Sequence, residues 1–110
     1  MIDISIIREI YHSSGSSVEY SVHCMKRMLE RSISRADVID CILTGEIIED
    51  YPMQDEGDGS SLPSCLILGI RQCDDKMIHV VIGYSKSKIL IITAYYPDDI
   101  HWLSDGKTRR

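Results

Sequence analysis

Residues 64–97, SCLILGIRQCDDKMIHVVIGYSKSKILIITAYYP, decide the fold class of this 110-residue chain. The stretch contains three runs rich in Ile, Val and Leu, at residues 64–72, 77–85 and 88–97. The linkers between them, 73–76 and 86–87, are short and polar, as hairpin connections are. The sequence therefore predicts three consecutive antiparallel strands.

The first part of the chain has helical periodicity instead. Asp3 can cap an amphipathic helix over 4–12. Ser34 can cap another helix over 35–44, after which Gly45 predicts a left-handed stop. These signals predict helices at both ends of the N-terminal half.

A further helix is predicted between these two. Ser16 and Glu19 have capping-box spacing, which predicts a helix that begins there and runs to about Ser32. Apolar residues recur along it with a helical period, at Val18, Val22, Met25, Leu29 and Ile33. We expect this stripe to face the core.

Together these elements predict an α+β domain. Residues 46–52 alternate as a short strand, so N-terminal helices should pack on one face of an antiparallel sheet of about four strands. The whole chain, 1–110, is expected to form a single domain. A helix and linker occupy 1–18, the core occupies 19–103, and 104–110 form a disordered tail.

Charge and composition restrict the function classes. The net charge is −5, and six of the seventeen acidic residues lie between positions 46 and 58. Nucleic-acid-binding proteins more often carry a basic surface. No apolar run approaches the ~18 residues that a membrane span needs, and no secretory leader is evident. We expect a cytoplasmic protein that does not contact membranes.

The four cysteines do not predict a metal site. Cys24, Cys41, Cys65 and Cys73 form no C-x2-C pair, and no histidine lies at zinc-ligand spacing from them. Small, partly buried thiols are the expected role, with a redox or metal role as the alternative. No cofactor is predicted.

The second helix has a polar flank that could carry chemistry. His23, Arg27 and Arg31 follow one another at intervals of four residues and therefore share one side of a helix. Imidazole can exchange protons near neutral pH, and guanidinium groups bind phosphate through paired donors. The same residues also suit an ordinary solvated helix face. Both interpretations stay open at this point.

A second polar group falls on the strands. Alternation sends Arg71, His79, Thr93 and Tyr95 to the sheet face opposite the helices. This assignment assumes that alternate apolar residues face the helices, namely Leu66, Leu68, Ile70, Ile78, Val80, Ile82, Leu90, Ile92 and Ala94. Such a face could bind and cleave RNA by acid–base steps, although His79 could equally be a satisfied, half-buried histidine. Trp102 with Leu103 is expected to plug the sheet edge.

Several of these motifs, taken in order, resemble the domain-of-unknown-function 4258 family. The resemblance covers about residues 20–103 and rests on short motifs. They are His23-x3-Arg27-x3-Arg31-x-Ile33, Asp37-Val38, Gly45-x-Ile47, Tyr51-Pro52, the strand around His79, and Ile91-Ile92-Thr93-x-Tyr95-x-Pro97. Ser32 stands where the family often has glycine.

The resemblance implies a RelE-like fold and a toxin-like RNA endonuclease that a cognate antitoxin-like protein holds in check. Such enzymes cleave RNA without a metal, by attack of the 2′-hydroxyl on the adjacent phosphate. The family's recurrent polar positions supply the expected roles: catalytic His23, His79 and Tyr95, with Arg27, Arg31, Arg71 and Thr93 binding phosphate.

Two other functions remain compatible with the sequence. One is a non-catalytic protein-interaction module that docks a basic partner through the acidic residues Asp55, Glu56 and Asp58. The other is a small-ligand binder that uses the face around His79.

Overall fold

The computed structural model describes residues 1–51 and 62–110. Within these ranges the helices are α1 (Ile4–His12), α2 (Val22–Glu30) and α3 (Arg35–Thr44), and the strands are β1 (Ser17–Tyr20), β2 (Glu46–Tyr51), β3 (Ser64–Ile70), β4 (Met77–Ser85) and β5 (Lys88–Tyr95). Residues 52–61 lie outside the description, and with them the acidic residues expected to dock a partner: Asp55, Glu56 and Asp58. None of the described helices is long and apolar enough to cross a membrane.

The five described strands form one sheet in the order β1-β5-β4-β3-β2. Strands β2 to β5 form an antiparallel meander, as the hairpin-length linkers predicted. Strand β1 pairs with β5 in parallel and occupies one edge. The α+β class is confirmed, but the sheet is mixed and has one strand more than expected.

The extra strand replaces the predicted start of the second helix. The capping box at Ser16 and Glu19 does not form, because residues 17–20 pair with β5. In this strand Val18 and Tyr20 pair with core residues Ile89 and Ile91 and pack against the core cluster. Pairing and burial of these two side chains thus prevail over the local helix signal.

Helix α2 therefore begins later and buries a different face. Its cap is Ser21, whose hydroxyl accepts a hydrogen bond from the Cys24 amide at 3.0 Å. Cys24 and Met28 are buried, whereas Val22 and Leu29 are 80% and 83% exposed. The predicted apolar stripe was wrong for this helix.

The outer helices match the prediction, but the residue after α3 does not. Gly45 has φ −81° and ψ −172°, an extended conformation rather than a left-handed one. A Cβ at this position would lie 2.5 Å from the carbonyl oxygens of both Cys41 and Leu68. Glycine is needed here because the backbones of α3 and β3 approach closely.

The three helices pack against one face of the sheet, and we call the opposite face the helix-free face. The core between helices and sheet includes Ile7, Ile10, Cys24, Met28, Val38, Ile42, Cys65, Ile67, Ile78, Val80, Ile82, Ile89, Ile91 and Ala94. On β3, Cys65 and Ile67 face the helices, so the predicted orientation of Leu66 and Leu68 was reversed. On β5, Leu90 likewise faces away from the helices.

The thiols agree with a structural role. Cys24, Cys41 and Cys65 are buried and Cys73 is exposed. Burial raises the pKa of Cys41 and of Cys65 to about 12, which keeps both thiols protonated and unreactive. In residues 1–51 and 62–110, no group of three or more His, Cys, Asp or Glu side chains could hold a metal ion.

Two irregularities in the ladders change which side chains reach the helix-free face. The register of β2 shifts between Ile47 and Glu49, and the ladder of β4 with β5 shifts opposite Ile92. An extra residue in a strand reverses the sheet face to which the following side chains of that strand point. Glu49 and Thr93 therefore face away from the helices, although Ile47 and Ile91 face toward them.

Residues 98–110 form a hairpin, here called the C-terminal hairpin, that covers part of the helix-free face. Trp102 and Arg109 form an antiparallel bridge across it. Asp105 accepts hydrogen bonds from the amides of Lys107 and Thr108, which closes the turn. The sequence led us to expect a disordered tail at 104–110, whereas the structure folds these residues back onto the sheet.

Candidate acid–base site

His79, on the central strand β4, lies at the centre of the helix-free face. Its side chain is 0% exposed. Its Nε2 lies 2.6 Å from the Gly106 carbonyl oxygen, and since a carbonyl can only accept, Nε2 carries the proton. Its Nδ1 lies 3.4 Å from the Tyr95 hydroxyl. The Trp102 ring meets the imidazole edge to face, with 4.6 Å between centroids.

This environment keeps His79 neutral. Burial lowers its pKa, and the Arg109 charge acts in the same direction, against the opposing effects of the Gly106 carbonyl and Glu49. The neutral ring donates its single proton to Gly106, so it has none to offer a substrate. His79 is therefore built into the contact between the sheet and the C-terminal hairpin.

An ion pair lies beside this imidazole at the sheet edge. Arg109 places Nε and Nη2 at 2.5 Å and 2.9 Å from the two carboxylate oxygens of Glu49, a forked arrangement. Tyr51 also donates its hydroxyl to Glu49. The hydrogen bond from Arg109 is the main cause of a lowered pKa at Glu49, so the carboxylate is ionised at neutral pH.

Two phenols border the same face. Burial raises the pKa of Tyr95. Burial and the bond to Glu49 raise the pKa of Tyr51 to about 12. Both hydroxyls therefore keep their protons at neutral pH and can serve as donors. Thr93 lies two residues before Tyr95 on the same strand and faces the same way.

The polar flank of α2 does not join this site. His23 and Arg27 are exposed on a helix that packs on the other side of the sheet, and Arg27 pairs with Glu30 at 3.2 Å. Arg31 donates to the Ala94 carbonyl oxygen at 2.8 Å, which ties the end of α2 to β5. The structure thus separates His23, Arg27 and Arg31 from His79 and Tyr95.

Arg71 also lies away from His79, contrary to the predicted facing. Its Nη1 donates to the Ser32 carbonyl oxygen at 2.7 Å and to the Tyr96 hydroxyl at 2.8 Å. It also forms an ion pair with Asp74, whose hydrogen bond raises the pKa of the guanidinium. These contacts connect the α2–α3 turn to the β3–β4 turn. Arg71 therefore joins structural elements here.

Glu49, Tyr51 and Arg109 were not predicted as site residues. Simple alternation from Ile47 sends Glu49 toward the helices, and only the irregularity in β2 reverses it. Arg109 lies in the segment expected to be disordered. No local pattern in either segment signals that the two side chains meet, because 60 residues separate them.

Comparisons with known proteins identify a family. The family model described as "Domain of unknown function (DUF4258)" matches residues 20–96, which include the last residue of β1, all of α2 and α3, and the strands β2 to β5. No curated protein and no solved structure matches the chain. Since the matched residues make up most of the chain, this protein belongs to the DUF4258 family.

Proposed function

We propose that this protein is a toxin-like RNA endonuclease of the RelE type, acting in the cytoplasm and held in check by a cognate antitoxin-like protein. One observation carries the proposal: phenol, imidazole, carboxylate and guanidinium groups meet on the sheet face that no described helix covers. The C-terminal hairpin covers only part of this face, and acid–base groups clustered on a sheet surface suit a chain-like substrate.

The reaction that fits these groups needs no metal. The ribose 2′-hydroxyl gives up its proton to a base on this face, and its oxygen attacks the adjacent phosphorus. The bond from phosphorus to the 5′ oxygen breaks, and the 5′ oxygen keeps the bonding electron pair. That oxygen then takes a proton from the Tyr95 hydroxyl. The products are a 2′,3′-cyclic phosphate and a 5′-hydroxyl, while an arginine stabilises the phosphate charge.

Purified protein incubated with single-stranded RNA tests this function. We expect cleavage to fragments that end in a cyclic phosphate, and loss of cleavage in Tyr95→Phe, which keeps the ring and removes the donor. His23→Ala is the matched control and should cleave as the wild type does, since His23 lies on the other side of the sheet. RNA left intact, both free and on ribosomes, would contradict the proposal.

A non-catalytic protein-interaction module is the second candidate. The exposure of Val22 and Leu29 on α2, flanked by the basic residues Lys26 and Arg27, supports it, because exposed aliphatic side chains on one helix often mark a protein contact. In that case Val22→Ser and Leu29→Ser would abolish capture of a neighbouring-gene product in a co-purification. Cleavage of RNA by the wild type would favour the first candidate instead.

A further inference from the structure

We propose that Glu49 and Arg109 form a closed ion pair that single-stranded RNA opens, so that Arg109 binds a phosphate and Glu49 is freed to act as the general base. The inference rests on the function proposed above. It gives Glu49 and Arg109 the roles of base and phosphate ligand. From the sequence, the role of base was expected of His23 or His79, and phosphate binding was expected of Arg27, Arg31, Arg71 and Thr93.

The geometry of the pair suits exchange with a phosphate. Arg109 uses two donors of its guanidinium on the two oxygens of Glu49. A phosphodiester also offers two oxygens to the same fork. The Arg109 side chain is 56% exposed and that of Glu49 22% exposed, so an anion can approach from solvent without displacing the core.

Arg109 would stay near the site after leaving Glu49. Its guanidinium lies over the Trp102 ring, 4.5 Å from the centroid, and the two residues are also joined by the backbone bridge of the C-terminal hairpin. Trp102 is itself buried against His79. The ring therefore provides a platform on which the guanidinium can turn toward a bound phosphate.

Release of Arg109 would make Glu49 a stronger base. The hydrogen bond from Arg109 is the largest cause of the lowered Glu49 pKa, so its loss moves that pKa back toward the ordinary carboxylate value. RNA binding and base activation are thus coupled through one guanidinium. Burial and the Glu49 charge both raise the pKa of Tyr95, which keeps that phenol protonated.

The proton balance of the reaction then closes within the site. Glu49 takes the proton of the 2′-hydroxyl, and the 2′ oxygen forms its bond to phosphorus. The 5′ oxygen leaves and takes the proton of the Tyr95 hydroxyl. Proton transfer through solvent from the Glu49 carboxylic acid to the Tyr95 phenolate restores both groups. No oxidant, metal or second substrate is consumed.

Binding of an uncleavable probe tests the opening of the pair. The probe is a fluorescein-labelled single-stranded oligonucleotide in which every ribose carries a 2′-O-methyl group, and its affinity is read by fluorescence anisotropy. Arg109→Gln should weaken binding about tenfold, the value of one charged hydrogen-bonded contact. Glu49→Gln should tighten binding, because the competing carboxylate charge is gone.

The neighbouring ion pair between the same two segments provides the control. Lys107 lies 3.5 Å from Glu46, with both side chains about half exposed. Lys107→Gln and Glu46→Gln change the net charge by the same amounts as the test variants, and both should leave probe affinity unchanged. If Lys107→Gln weakens binding as much as Arg109→Gln, or if Glu49→Gln does not tighten it, the inference is overturned. Urea midpoints verify that each variant is folded.

Cleavage of ordinary RNA tests the role of Glu49 as base. Glu49→Gln should lose about 10²–10⁴-fold in rate while binding the probe more tightly, a combination that loss of folding cannot produce. Wild-type cleavage by Glu49→Gln would overturn this role. A wild-type protein that binds the probe through Arg109 but cleaves no RNA would instead refute the proposed function, so the two failures are distinguishable.

Discussion

Ser32 has a left-handed backbone conformation at the end of α2, with φ of 56°. The Ser32 amide donates to the Leu29 carbonyl oxygen at 3.2 Å, and the Ile33 amide donates to that of Met28 at 2.9 Å. This pair of bonds is a Schellman motif, and Met28 and Ile33 supply its buried apolar contact. A side chain at this position is strained, because residues other than glycine disfavour the left-handed region.

We therefore expect Ser32→Gly to stabilise the fold. The substitution removes a left-handed penalty of about 1–2 kcal/mol, offset by the greater freedom of glycine in the unfolded chain, for a net gain of about 0.5–1 kcal/mol. The measurement is the free energy of unfolding in urea. Ser13→Gly is the control, because Ser13 has φ −70° and gains nothing from glycine. Equal effects of the two variants would contradict the prediction.

His79 gives stability a definite pH dependence. Its pKa is lower in the folded state than its ordinary value of 6.5. As the pH falls through about 6.5, the unfolded chain gains a proton at His79 that the folded chain does not, so the free energy of unfolding decreases. The contribution is complete above this range and is lost progressively below it.

The prediction is a lower urea midpoint at about pH 5.5 than at about pH 7.5, within the range where histidine titrates. In His79→Gln, whose amide can still donate toward Gly106, this difference should shrink. His23→Gln, an exchange at an exposed residue, should keep it. A pH dependence that is the same in all three proteins would show that His79 is not its source.

The sequence correctly predicted which sheet face some of the polar side chains occupy. Alternation correctly placed His79 and Tyr95, which pair directly between β4 and β5, on the helix-free face. Thr93 pairs with Val81 and faces the same way, although the irregularity at Ile92 interrupts the alternation before it. Alternation did not predict that Glu49 faces the same side. The irregularity in β2 breaks the two-residue period, and no residue type there indicates it in the sequence.

In helix α2, helical periodicity is compatible with burial of either of two faces. One face reads Val22, Met25 and Leu29, and the other reads Cys24 and Met28. Both have helical spacing, so the pattern alone could not choose between them. The choice depends on β1, whose pairing with β5 fixes where the helix starts. Such pairing between distant segments leaves no local signal in the sequence.

The burial of α2 makes a matched pair of substitutions informative. Met28→Ala should cost about 2–5 kcal/mol of unfolding free energy, because Met28 is buried and a cavity remains. Leu29→Ala, at the next residue, should change stability by less than about 0.5 kcal/mol, because Leu29 is exposed. Urea unfolding measures both. A larger loss from Leu29→Ala would reverse the assignment of the buried face.

The C-terminal hairpin is attached to the sheet through Gly106. This residue has φ 72°, and a Cβ there would lie 2.5 Å from the Met77 sulfur. Its carbonyl oxygen also accepts a hydrogen bond from Nε2 of His79. A side chain at residue 106 would force the end of the Met77 side chain to move, so glycine lets the hairpin approach the sheet this closely.

Gly106→Ala should therefore weaken docking of the C-terminal hairpin. Gly15→Ala is a matched control, since Gly15 has φ 85° but no atom within 4 Å of a new Cβ. Both variants carry the left-handed penalty, and Gly106→Ala should lose about 1 kcal/mol more, at the low end of overpacking costs, because the end of the Met77 side chain can move. Trp102, the single tryptophan, reports docking directly. Its emission should shift to the red in Gly106→Ala and stay unchanged in Gly15→Ala.

The pairing of β1 with β5 has a consequence for synthesis on the ribosome. Residues 17–20 leave the exit tunnel well before their partner, residues 88–91. Until residues 88–91 emerge, β1 has no neighbour in the described sheet. The long sequence separation between β1 and β5 slows their pairing. The nascent chain should resist proteolysis only after residues 88–91 have emerged. A ribosome-stalled series of increasing length would locate that transition.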